Sequence, residues 1–100
     1  MYRYQWSLEI HYGRRQELLE IVKQIKQIEI SRGWSPVTVW TPVFGQMHTL
    51  TLEADYPDLE SFEREEERRS ADAKFTELMS RTVSLLVQGT SHVRLFVSHD

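Results

Sequence analysis

Two groups of residues in this 100-residue chain have the types that acid–base chemistry uses. The first is Tyr4, Trp6, Thr41 and His48. If the segment around Tyr4 runs parallel to the one that begins at His48, Tyr4 falls beside His48 and Trp6 beside Leu50. A two-residue turn at Phe44-Gly45 then sets Thr41 opposite His48. An imidazole titrates near neutral pH, so His48 is the candidate base. Tyr4 and Trp6 bring broad faces with a polar tip, and Thr41 completes the wall. The ordinary alternative makes Tyr4 and Trp6 core aromatics and leaves His48 on the surface at a strand start. The second group is Glu9, Glu53 and Arg94. In the same parallel register the two carboxylates occupy matching places on neighbouring strands. Arg94 reaches Glu9 from the other side, with His11 or His92 assisting. Two carboxylates that close raise one pKa unless a cation intervenes, and Arg94 is that cation. They could form an acid–base pair, but a charge network that fixes the register of two subunits is the preferred reading, because structural ion pairs perturb carboxylates too.

The elements that must position these residues follow from periodicity. Arg3 to His11 alternates apolar and polar residues, the pattern of a half-buried strand, until Gly13 interrupts it. From Arg14 to Ser31 the apolar residues Leu18, Ile21, Val22, Ile25 and Ile28 recur at three- and four-residue steps, which predicts an amphipathic helix stopped by Gly33. Val37 to Val43 and Gln46 to Asp55 alternate again around Gly45 and predict a hairpin. Pro36 and Pro42 cannot donate to a ladder, so the first of these strands belongs at an edge. Pro57 suits a first helical turn, with Asp55 or Tyr56 near the cap. The charged run after it, with Glu60-Arg64 and Glu65-Arg69 four apart, is expected to be a solvated helix surface. Ser70 is the expected cap of a second helix from Ala71 to about Val87, with Phe75, Leu78 and Met79 in its core stripe. Gly89 ends that helix, and Ser91 to Ser98 is the last strand.

The order β-α-β-β-α-β predicts an α+β, ferredoxin-like fold: a four-stranded antiparallel sheet with both helical regions on one face. The first and third strands are placed at its centre. The covered face collects Tyr4, Trp6, Leu8 and Ile10 with Val93, Leu95 and Val97. The opposite face collects Gln5, Glu9, Glu53, His92 and Arg94, but also the large apolar residues Trp40, Met47 and Phe96, which water does not favour grouped together. Such a mixed surface suits a face-to-face contact between two copies of the chain, so a homodimer is expected.

Composition narrows the function classes. One hundred residues are expected to form one domain, residues 1–100. Hydrophobic residues make up 40% and charged residues 27%, as in an ordinary globule. A net charge of −3 argues against nucleic acid as a partner. There is no cysteine, hence no thiol nucleophile or thiolate site. The four histidines are scattered without ligand spacing, so no metal is expected. No apolar run approaches the roughly 20 residues of a membrane span, and no leader segment is visible, so the expected location is the cytoplasm.

One stretch, "LTLEADYPDLESFEREEERRSADAKFTELMSRTVSLLVQGT", joins a strand ending in an acidic turn to a helix, a break at "SAD" and a second helix carrying Phe75. With the order of elements, it resembles the dimeric α+β barrel superfamily, which includes antibiotic-biosynthesis monooxygenase-like and NIPSNAP-like domains. The similarity covers essentially the whole chain. It implies a homodimer and a pocket between sheet and helices that holds a small aromatic or polyketide-like molecule. It also implies cofactor-free oxygenase or isomerase activity, with His48 as base and Tyr4, Trp6 and Thr41 around the ligand. A non-catalytic binding or assembly module is the alternative. Haem-binding members that resemble this layout carry an axial histidine in the second helical region. Residues 57–88 contain none, so haem is disfavoured and no cofactor is expected.

Overall fold

The computed structural model describes residues 1–45 and 47–99. The chain runs β1 (Tyr2–Glu9), α1 (Arg15–Arg32), β2 (Thr38–Trp40), β3 (Thr49–Tyr56), α2 (Leu59–Ala71), α3 (Ala73–Val83) and β4 (His92–Val97). The four strands form one sheet in the order β2-β3-β1-β4. This is the α+β, ferredoxin-like arrangement.

Every neighbouring pair in the sheet is antiparallel. The expected parallel pairing of the first and third strands is therefore corrected. The reason lies in the connections: α1 carries the chain back so that β2 runs with β1, and the following reversal turns β3 against both. Tyr4 consequently faces Ala54, Trp6 faces Leu52 and Leu8 faces Leu50. The β2–β3 register also differs from the expected two-residue turn. Val39 lies opposite Leu52 and Trp40 opposite Thr51, so a longer loop joins the strands. The shift is by two residues, and an even shift leaves each side chain on its expected face. Gln46, expected to open the third strand, lies outside the described residues. The short β2 does occupy an edge, as its flanking prolines require.

The core fills the space between the sheet and α1. Leu8, Leu18, Ile21, Val22 and Leu50 are almost wholly enclosed. Gly33 ends α1 in the left-handed region (φ 73°), and its N–H and that of Trp34 return to carbonyls of the last turn, as such helix stops do. That reversal tucks Trp34 into the core. The second helical region is broken at Asp72 rather than Ser70. Asp72 caps α3 by accepting a hydrogen bond from the Phe75 N–H at 2.9 Å, while the Ser70 hydroxyl bonds back to the Glu66 carbonyl. An aspartate is among the residues best suited to that position. Asp58, not Asp55 or Tyr56, caps α2 through the Ser61 N–H at 2.7 Å.

Strand β4 departs from expectation. Alternation places Val93, Leu95 and Val97 under the helices, yet they are 59, 40 and 46% exposed. The helices cover the centre of the sheet and leave β4 bare on both faces.

Candidate functional site

A cavity of about 400 Å³ lies between the sheet and the helices. Strand alternation puts Tyr4 and Trp6 of β1 on its floor, and α3 contributes Phe75 and Met79 to its roof. Its polar side comes from α2, through Glu66 and Arg69. Trp6 is held in place, because its indole N–H donates to the Ser91 hydroxyl. Burial, and next to it the Glu66 charge, pushes the Tyr4 hydroxyl above its ordinary pKa, since both disfavour the phenolate.

A buried ionic cluster forms part of the cavity wall, through Glu29, Tyr56 and Arg69. Arg69 donates from Nε and Nη2 to Glu29 Oε2 of α1 at 3.2 and 2.9 Å. Its Nη1 donates to the Tyr56 hydroxyl at 3.0 Å, and its Nη2 also meets the Ser35 carbonyl at 2.9 Å and Glu65 at 3.4 Å. Glu29 Oε1 accepts from the Val37 N–H at 3.0 Å, and Glu65 from the Ser35 N–H at 2.6 Å. The guanidinium also lies 5.4 Å from the Trp34 ring centre, a cation–π distance. Burial raises the Glu29 pKa, opposed by the Val37 N–H and by Arg69. Burial likewise pushes the Tyr56 hydroxyl up to about 12. In both groups the loss of water penalises the charged form. Among the described residues, no buried side-chain nitrogen or oxygen lacks a hydrogen-bond partner.

Glu65 and Arg69 therefore correct the expectation of a wholly solvated charged helix, since they are 8 and 5% exposed. The signal that could have found them is in α1. Glu29 stands four residues after Ile25 and seven after Val22, on the apolar stripe itself, and a carboxylate there needs a buried cation.

The expected site residues separate into three places. Tyr4 and Trp6 line the cavity. His48 does not sit beside Tyr4, because antiparallel pairing moves it to the other end of β1, where its carbonyl accepts from the Ile10 N–H at 2.9 Å. Its ring is half exposed and lies 3.7 Å from Glu9 on the uncovered side of the sheet. Thr41 follows β2 in the connecting loop and is not part of the cavity wall.

The second group is rearranged by the same change of direction. Glu9 lies opposite Thr49 and Glu53 opposite Gln5. Four ladder positions put the two carboxylates about 13 Å apart along the strands, so they do not meet. Glu53 accepts from the Gln5 amide at 2.7 Å. Arg94 lies across from Gln5 and, among the described residues, makes no ion pair with Glu9. Arg3 and Asp55 also pair on this face, at 2.8 Å, and alternation alone gave no sign of that pair. Among the described residues, no group of three His, Asp or Glu side chains is disposed to hold a metal ion, and no helix is long and apolar enough to cross a membrane.

Residues 6–98 match the NIPSNAP family. The chain belongs to that family. A NIPSNAP domain protein from Burkholderia xenovorans is 20% identical to it, with a TM-score of 0.79 over 99% of this chain and 95% of the other. A NIPSNAP family protein from Agrobacterium tumefaciens is 16% identical, with a TM-score of 0.78 over 99% of this chain and 93% of the other. SnoaB, a cofactor-independent oxygenase from Streptomyces nogalater, is 15% identical, with a TM-score of 0.75 over 99% of this chain and 93% of the other. No curated protein matches the chain significantly. The NIPSNAP chain thus shares its fold with antibiotic-biosynthesis monooxygenase-like proteins.

Proposed function

We propose that this NIPSNAP chain is a homodimer that binds a small aromatic, polyketide-like molecule in the cavity between sheet and helices and transforms it without a cofactor. The observation that carries the reading is the cavity itself. Its volume of about 400 Å³ is that of a small-molecule site, and it combines apolar, aromatic walls with a few polar groups on one side. Tyr4, Trp6 and Phe75 offer ring faces, and Arg69 fixes the polar side in place. The shared fold with SnoaB supports an oxygenase chemistry in which the protein positions the substrate and manages its proton.

Dimerisation rests on surfaces that a lone chain leaves bare. Trp40, Met47 and Phe96 are 57, 51 and 45% exposed. Trp40 and Phe96 share the face of the sheet turned away from the helices, a surface more suited to a second copy than to water.

A second reading has its own observation. The buried charged groups at the cavity are already satisfied by one another, and His48 stands outside it. A non-catalytic binding module fits that arrangement. One experiment separates the two: titrate the protein with a dihydroxynaphthalene and an anthrone, and follow Trp fluorescence and oxygen consumption together. Binding with uptake supports the oxygenase. Binding without uptake supports the module. No binding by either probe overturns both.

A further inference from the structure

The polar groups of the cavity can be counted for what each has left to offer. Arg69 is the cationic group in the wall, and all but one of its N–H donors go to Glu29, Tyr56, Ser35 and Glu65. Nη1 approaches Glu66 only at 3.6 Å. Ser70 and Thr76 also line the cavity, and their hydroxyls donate back to the carbonyls of Glu66 and Asp72 in their own helical turns, so each has only acceptor capacity left to offer. The Trp6 N–H is committed to Ser91. The Tyr4 and Tyr56 hydroxyls are neutral, and both are pushed toward the protonated form by burial.

Glu66 differs from all of these. It lines the cavity, its side chain is 46% exposed, and among the described residues its carboxylate makes no hydrogen bond. Burial raises its pKa, with Arg69 opposing, as suits an acceptor held at the margin of water. Glu29, which also lines the cavity but has both oxygens hydrogen-bonded, and Glu65 pair with Arg69 too, so three carboxylates surround one guanidinium. An incoming anion meets an excess of negative charge and a cation already engaged. A hydroxyl or amino group meets a carboxylate with open lone pairs and two hydroxyl oxygens.

We infer that Glu66 is the specificity-determining acceptor of this cavity, which admits rings bearing hydrogen-bond donors and turns away rings bearing a carboxylate. This rests on the proposed ligand site and names the class of ligand that site takes. The physical reason is an asymmetry of desolvation: a carboxylate that loses water here meets three carboxylates, with only the Tyr4 hydroxyl and an already paired guanidinium in return, whereas a hydroxyl paired with Glu66 is not penalised.

The test uses three probes on one scaffold: 2-naphthol, 2-naphthoate and naphthalene, titrated into the intact protein at pH 7.5 by calorimetry. The naphthol is expected to bind about tenfold or more tighter than the naphthoate. In Glu66→Gln the naphthoate gains and the naphthol loses, so the ratio collapses toward one. Thr76→Val, at an exposed position, serves as a second variant and weakens the naphthol alone. Near-ultraviolet circular dichroism checks that both variants keep their packing. Equal or tighter binding of the naphthoate by the unaltered protein overturns the inference and leaves the cavity as a ligand site. So does a ratio unchanged in Glu66→Gln. Failure of all three probes to bind overturns the ligand site, and the inference falls with it.

Discussion

Arg69 of α2 and Glu29 of α1 meet at 2.9 Å with side chains only 6 and 5% exposed, and so join two helices that flank the same cavity. A pair buried this deeply adds little net stability against an apolar substitute, but removing one partner strands the other. Arg69→Ala is expected to lose about 3–5 kcal/mol in urea unfolding. The double variant Arg69→Met with Glu29→Gln should lose less than the sum of its two single changes. Additive losses would show that the two groups do not act as a unit.

The cavity predicts a clean separation of binding from folding. Met79→Trp adds an indole to the roof and should abolish naphthol binding while the far-ultraviolet spectrum stays unchanged. His48→Ala, altered outside the cavity, should leave the naphthol affinity within about twofold, since distant sites act independently. Loss of binding in the histidine variant alone would restore His48 to the site.

Acid should unfold the chain partly through its helix caps. The Phe75 N–H, and then Arg32, hold the Asp72 carboxyl below its usual range. Its stabilising effect is full above the ordinary carboxylate value of about 3.9 and is lost as pH falls through the depressed value. Asn caps equally well without titrating. Between pH 7 and pH 2.5, Asp72→Asn should therefore lose less stability than the unaltered chain. Equal losses in both proteins would remove Asp72 from the acid transition. Glu29 and Glu66 act in the opposite sense. Their pKa values are raised, so their ionisation costs stability above the raised value, and protonation relieves that cost.

The bare side of β4 makes assembly measurable. Phe96→Arg places a charge on the face of β4 turned away from the helices, and it should shift sedimentation from dimer to monomer at micromolar concentration. An unaltered chain that already sediments as a monomer would defeat the proposed pairing.

Most of the architecture is legible in the sequence because alternation and helical periodicity act locally. Tyr4, Trp6, Leu8 and Ile10 declare one face of a strand whatever that strand lies beside. Which residues meet across strands depends on direction, and direction is set by the connections. Parallel pairing brings Tyr4 to His48 and Glu9 to Glu53, whereas antiparallel pairing parts both pairs and sets His48 near Glu9 instead. The ionic cluster is hidden for another reason. Glu65 and Arg69 sit in a run of charges whose neighbours Glu63, Arg64, Glu67 and Arg68 face water, and composition does not tell them apart. Glu29, interrupting an aliphatic stripe, is the residue that requires charge to be met inside.

The break at Asp72 divides the labour of the roof. Side chains that set the room available, Phe75 and Met79, belong to α3, whereas the charged ones, Glu66 and Arg69, belong to α2. Girth and charge preference are thereby encoded on separate helices. A descendant of this chain can be retuned for a bulkier guest by changes on one of them while the ionic clasp on the other stays as it is.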